Sequence, residues 1–484
     1  MALSDIETIV FCMLENRSFD HMLGYLSLKP RPGKPAVEGL SADPGWVKSY
    51  RNMADGKPYD IKWLPPAQVV DDPPHALSSI QTQIDTPPAG PGPTRMGGFA
   101  QTYADSRKGV PKKPPLNDVG AVMGYYDAKA VPTFDFFAAN YCICDHWFSA
   151  LPLGTQPNRL MAMAGETSLV QNTSGFPIPD QRLVYDWLHD HKIRWCAYQS
   201  GNFLPFFTLM ARFIPEIALS LTASEFGIKT HFRRYARFRK DWTKAAQVPQ
   251  VIFIEPEYGD GPHAAPNDDH PPTGVAGGQA LLQDLYQVLI SNPARWQKTL
   301  LVITYDEHGG FFDHVPPFPL DTTVAGFHFP TTGVRVPAIL VSPHVGEGKV
   351  FSEPLDHTSF LQLLADRFTP GMDYSPAVAG RQAKLSRIAK ALLPAARTGP
   401  APTLALPAAV KAAAARPIAA AAAAGPSAPH TPNAVALDAA TRQLAHDHPE
   451  LLDSKGWEGI KAYLESNPPP VVASPDHITT PATP

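Results

Sequence analysis

The chain lacks most of the features that would assign it at a glance. Only four of its 484 residues are cysteine: Cys12, Cys142, Cys144 and Cys196. Their spacing fits neither a zinc ribbon nor a disulfide framework. Three of them lie in apolar runs, where a free thiol behaves as a small buried hydrophobe, so a reducing compartment is permitted. No uninterrupted apolar run reaches about 18 residues, and no transmembrane segment is expected. The opening MALSDIETIVF has no basic n-region, long apolar h-region or small-residue cleavage site, so no signal peptide is expected; these residues alone would stay cytoplasmic, and the compartment is left open. An excess of one charge is also missing. Forty-one basic residues against 45 acidic ones leave −4, which argues against a protein that works mainly by coating nucleic acid or an anionic membrane. There is no P-loop, no G-x-S-x-G elbow and no G-x-G-x-x-G segment.

What is abundant is proline, 54 residues and roughly twice ordinary usage. Hydrophobic residues still make up 44%, enough for a sizeable core, so the excess reads as long ordered loops around a compact sheet. Nearly continuous apolar runs at Thr8–Met13, Ile193–Tyr198, Val251–Ile254, Thr299–Tyr305 and Val336–Val341 have the pattern of strands buried on both faces. Helical stretches lie between them, such as Gly277–Ile290, closed by Asn292-Pro293. Strand and helix in alternation predict an α/β fold, a doubly wound and mostly parallel sheet sandwiched by helices. Ligands then sit beyond the carboxyl ends of the strands. Residues 29–120 are expected to form a long excursion above the sheet edge. The basic stretch within 203–247 reads as a solvated helix face. Fifteen of the thirty residues Ala401–His430 are alanine and five are proline, the composition of a semi-rigid linker. The expected organisation is a catalytic domain over 1–393, an Ala/Pro-rich linker over 394–434 and a short helical segment over 435–484. Residues 435–467 could receive a protein partner.

Several polar clusters follow directly after strands. Glu15-Asn16 opens the segment to His21 and offers hard oxygen donors for a divalent cation, although Asn16, Ser18 or Asp20 could equally cap a helix. Asp306-Glu307 ends another buried strand, where adjacent carboxylates repel unless a cation or strong donors satisfy them. Gly309-Gly310 just beyond would let backbone approach a ligand closely. Thr155 follows Gly154 and precedes a helix running from Arg159. Its hydroxyl is either a nucleophile favoured by the helix dipole or a plain N-cap. Glu255 to Tyr258 and Asn267 to Pro272 combine acids and His270 in a post-strand loop, able to move protons or simply to turn the chain. His75 and His357 stand alone. Together these clusters supply hard ligands, an alcohol and a histidine acid, the parts of divalent-metal phosphoryl transfer.

The segments ENRSFDHMLGYL (15–26), LPLGTQPNR (151–159), NDDHPP (267–272), YDEHGGFFDHVPPF (305–318) and RVPAILVSP (335–343) resemble the signature of the bacterial phosphoesterase family. That family joins phospholipases C to a respiratory-burst-inhibiting acid phosphatase and is similar in fold to alkaline phosphatase. The resemblance spans roughly residues 5–390. It implies that Glu15, Asn16, Asp306 and Glu307 bind a divalent metal ion and that Thr155 is the nucleophile. It also implies that His75, His270 and His314 contact phosphate or protonate the leaving group, His314 before His270. The implied substrate is a phospholipid phosphodiester such as phosphatidylcholine, cleaved through a phosphothreonine. The alternatives are a small phosphomonoester, or a silent relative that only binds phospho-ligands. Exported family members usually carry a leader, and haemolytic ones carry extra C-terminal β domains; neither is expected from these residues, which end in an Ala/Pro linker and a short helical segment.

Overall fold

A computed structural model of the chain describes residues 2–29, 33–66, 68, 70–90, 93, 95–108, 116, 118–201, 204–222, 230–261, 266–415, 431–453 and 457–468. Its frame is an eight-stranded sheet. In chain order the strands are β1 (Thr8–Leu14), β2 (Cys142–Cys144), β3 (Trp195–Gln199), β4 (Phe232–Arg234), β5 (Val251–Glu255), β6 (Thr299–Tyr305), β7 (Ala338–Val341) and β8 (Lys349–Phe351). In space they run β8-β2-β7-β6-β1-β5-β3-β4. β7 is antiparallel to both its neighbours, and every other pairing is parallel.

The run TIVFCML of β1 is buried throughout, as its lack of alternation requires for a central strand. Its register with β6 is unbroken from Thr8↔Thr299 to Leu14↔Tyr305. The two strands therefore end level, so Glu15-Asn16 and Asp306-Glu307 emerge side by side from the same edge.

Helices cover both faces. Phe11 of β1 stacks on Phe360 of α5 (Thr358–Phe368) at 4.0 Å between ring centroids. Tyr305 pairs with Leu14, whose side chain points to the opposite face from Phe11 by strand alternation. There Tyr305 meets Phe134 of α2 (Pro132–Asn140). That helix is tied to α4 (Ala276–Ile290) by Thr133, whose N–H and hydroxyl both donate to Gln279. α1 (Phe19–Leu23) and α3 (Thr155–Ala164) start just beyond the carboxyl ends of the sheet.

Several expectations need adjusting. The excursion over 29–120 carries the helices Leu77–Asp85 and Phe99–Asp105, and it packs Ile80, Ile84 and Phe99 into the main core. The helix expected from Arg159 begins four residues earlier, at Thr155 itself. The basic stretch contains edge strand β4, and its arginines pair with acids: Arg233 and Arg237 with Asp241, and Arg239 with Asp284. Of the Ala/Pro-rich region, 416–430 lies outside the described residues. Upstream, Leu404 is buried and its carbonyl accepts from Gln283 and Gln287 of α4. Farther on, α6 (Pro432–Asp447) and α7 (Glu458–Ser466) add Leu437, Leu444 and Ile460 to the main core, with Trp457 between them. All four cysteines are free and buried. Among the described residues no helix is long and apolar enough to cross a membrane.

Candidate active site

The level ends of β1 and β6 build the centre of the site. Asn16 turns the chain with φ +62°, a left-handed conformation that asparagine tolerates better than most residues. The turn lets its N–H donate to Asp306 Oδ1 at 3.0 Å. The N–H of Glu307 donates to the same oxygen at 2.7 Å. Gly309, at φ +60°, crosses directly over this turn, and a Cβ there would sit 2.3 Å from the Asn16 carbonyl oxygen. A Cβ on Gly310 would meet Pro73 at 2.8 Å. These glycines let the site's own backbone close tightly upon itself.

Thr155 is the first residue of α3. Gly154 occupies the cap position and supplies no side-chain bond, so the plain N-cap reading of Thr155 fails. The capping reading does hold for Ser18, whose hydroxyl accepts from the N–H of His21. The buried Thr155 hydroxyl instead donates to Glu15 Oε1 at 3.3 Å. One helical turn on, Arg159 reaches Glu15 Oε2 at 3.4 Å and Asp306 Oδ2 at 3.2 Å. Its remaining nitrogen donates to the Tyr258 hydroxyl, and the guanidinium lies over the rings of Phe206 and Tyr258. Segments 15, 155 and 306 thus meet. The sequence reading passed over Arg159. Its i+4 spacing from Thr155 on a helix was the available signal, because it puts both side chains on one face.

Burial dominates the electrostatics. It lifts Glu15 well above the usual carboxylate range, with Asp306 adding to the rise and Arg159 opposing it. Burial likewise lifts Asp306 to about 6. Glu307 goes the other way: burial pushes it up, but His75, His308 and the Gly309 N–H together hold it below its ordinary value. For His270, burial opposes the charge, yet Asp72, Asp260, Glu15 and Asp268 raise it to about 10, so it stays protonated at neutral pH. His357 is different. Its Nδ1 accepts from the Trp147 indole, which leaves Nε2–H to donate to the Asp306 carbonyl at 2.6 Å. Burial holds this imidazole neutral, down to about 4, and it braces the end of β6.

The histidines fall into two groups. His75 and His270 face each other with ring centroids 6.3 Å apart. His75 Nε2 lies 3.9 Å from Glu307 Oε1. His270 shares one close cluster with Asp72 and His75 and another with Glu15 and Asp260, the ligand atoms of each lying within 4.8 Å of one another. Asp72 and Asp260 were not anticipated. His314 sits elsewhere, its Nδ1 bonded to Asp20 at 2.6 Å beside Asp313 and Arg335. Among the described residues no hydrogen bond or ion pair joins it to Glu15, Thr155, Asp306 or Glu307.

The residues fit a divalent cation. Both amide atoms of Asn16 and Oε1 of Glu307 are buried without a hydrogen-bond partner. Buried polar atoms are almost always satisfied, and hard oxygens left over beside repelling carboxylates are what such a cation takes up.

Fold and site together describe a doubly wound α/β protein with an acidic, histidine-rich centre and a buried alcohol at its strand ends. The chain belongs to the phosphoesterase family, whose model matches residues 6–369. Non-specific phospholipase C6 of Arabidopsis thaliana is 34% identical over 366 residues, 72% of this chain and 64% of that protein. Phospholipase C B of Mycobacterium tuberculosis is 28% identical over 408 residues, 76% of this chain and 74% of that one. The chain thus spans a little less than two thirds of the plant relative. Among solved structures, an alkaline phosphatase superfamily protein from Vibrio parahaemolyticus aligns with a TM-score of 0.30 at 14% identity, covering 55% of this chain and 66% of that one. The fold assignment here rests on the sheet itself.

Proposed function

We propose that the chain is a phosphoric ester hydrolase of the phospholipase C type. In this reading it cleaves phospholipid phosphodiesters such as phosphatidylcholine through a covalent intermediate on Thr155. The observation that carries the reading is the 3.3 Å bond from the Thr155 hydroxyl to Glu15, at the point where β1 and β6 end together. The printed names of the relatives, phospholipases C from a plant and a bacterium, favour the diester.

A divalent cation held by Glu15, Asn16, Asp306 and Glu307 would supply Lewis-acid stabilisation of the phosphoryl oxygens and ease ionisation of the threonine hydroxyl. Thr155 Oγ1, oriented by its hydrogen bond to Glu15 Oε1, attacks phosphorus and releases its proton to solvent. The N-terminus of α3 favours the negative charge that develops there. The bond from phosphorus to the diacylglycerol oxygen breaks, that oxygen keeps the electron pair, and His270 gives it a proton. His270 is placed ahead of His314 in this role because it lies in one cluster with Glu15 and is held protonated. Water then attacks the phosphothreonine diester and returns a proton to the neutral His270. Phosphocholine departs, and Thr155 regains its proton from solvent. His75, beside Glu307, is assigned to binding the phosphate.

The test pairs a chromogenic phosphocholine ester with a chromogenic phosphomonoester, using the wild-type chain and Thr155→Val. Faster hydrolysis of the diester, lost in the variant, is expected. Preference for the monoester would assign a phosphatase instead, and turnover of neither ester would refute the reading.

A further inference from the structure

The family match ends at residue 369, yet one buried side chain far beyond it reaches the site. Asn433 lies in the first turn of α6 and is 1% exposed. Its Oδ1 accepts from Gln156 Nε2 at 3.2 Å, and its Nδ2 donates to Asp260 Oδ2 at 3.0 Å. Thr431, the N-cap of the same helix, donates its hydroxyl to Asp260 Oδ1 at 2.9 Å while accepting from the Ala434 N–H. Both oxygens of Asp260 are therefore held by one helical turn, whose dipole also favours the carboxylate.

We propose that Asn433 is a positioning residue for the reaction: α6 clamps the first turn of α3, which carries the nucleophile, to Asp260 beside His270. This rests on the phosphoesterase reading above. Gln156 directly follows Thr155. Its side chain is also bonded to both the N–H and the carbonyl of Thr173, and its own N–H donates to Asn172. Any shift of Asn433 is thus felt one residue from the attacking oxygen. On the other side, Asp260 Oδ2 lies 4.0 Å from His270 Nε2. The bridge needs one acceptor and one donor on a single short side chain, which a carboxamide provides. A carboxylate would offer two acceptors, and a leucine neither. If α6 were only a docked helix, Asn433 could be replaced without touching turnover.

The experiment uses the full chain with Asn433→Leu, which removes both bonds, and Asn433→Asp, which keeps the acceptor and sets a second carboxylate against Asp260. Each is expected to lower kcat on the chromogenic phosphocholine ester by about 10- to 100-fold with KM little changed, the effect of a misplaced nucleophile. Hydrogen exchange should quicken in peptides covering 151–164 and 257–261, while β1 and β6 keep their protection. The reciprocal pair Asp260→Asn with Asn433→Asp exchanges donor for acceptor and should restore protection in 151–164. Unchanged kcat, unchanged exchange, or protection lost equally across the sheet would each overturn the proposal. Should the wild-type chain hydrolyse no phosphoester, the functional reading falls and the exchange data alone decide whether the clamp exists.

Discussion

Replacing Arg159 with methionine probes the electrostatic balance of the site. Arg159 is 4% exposed, and its guanidinium contacts Asp306 Oδ2, Glu15 Oε2, the Leu14 carbonyl and the Tyr258 hydroxyl. Taking one partner from a buried ion pair costs about 3–5 kcal/mol, because the remaining charge is left uncompensated. Methionine retains part of the packing on Phe206 and Tyr258, so Arg159→Met should fall near the lower end, about 3 kcal/mol at pH 8. The loss should depend on pH. Asp306 already binds its proton more tightly in the fold, at about 6, and losing Arg159 raises it further. A carboxyl whose folded pKa is raised is stabilising at low pH and loses that contribution as pH rises. At pH 5 the protonated carboxyl tolerates burial, and the penalty should shrink to about half or less. Urea unfolding of both chains with chelator present, at pH 5 and pH 8, measures this directly. Equal losses at the two pH values, or a loss below about 1 kcal/mol at pH 8, would refute the assignment of Arg159 as the fixed cation between these carboxylates.

Thr155→Val should reduce kcat by at least about 10⁴-fold and leave the melting temperature close to wild type, since it keeps shape and removes one long hydrogen bond; activity and thermal unfolding measured together check this. A chelator should lower both activity and melting temperature, and excess divalent cation should restore both, adding about 2.7 kcal/mol of stability at a hundred times its Kd; an unchanged melting curve would count against the ligand set. The neutral His357, held at about 4 against an ordinary 6.5, contributes stability that is complete above pH 6.5 and is lost as pH falls toward 4. His357→Gln should therefore flatten the acid side of the stability profile by about 2–3 kcal/mol, read from urea midpoints at pH 7 and pH 4.5.

Much of this site could be read from the sequence, for identifiable reasons. The run Thr299–Tyr305 was expected as a strand and forms one with those bounds, because a central parallel strand is apolar throughout and its hydropathy alone marks it. Acids directly after such runs could be placed at the strand ends, which is why Glu15 and Asp306 were named and do lie together. The short strands Cys142–Cys144, Phe232–Arg234 and Lys349–Phe351 could not be seen; runs of three residues form only because a neighbouring strand presents its free edge. Asp72, Asp260 and Asn433 were equally hidden, since nothing local distinguishes them from turn and cap residues. Their roles exist only through contacts made across the fold. The roles given to Gly309-Gly310 rested on the general freedom of glycine, and only the packing shows which surface they approach.

The central claim is that Thr155 takes up the phosphoryl group of the substrate. Acid-quenching the wild-type chain during turnover of a phosphocholine ester, followed by peptide mass spectrometry, tests it most directly. The account predicts a phosphocholine adduct on Thr155, absent from Thr155→Val. Rapid product release with that peptide unmodified at every quench time, or an adduct on another residue, would contradict it.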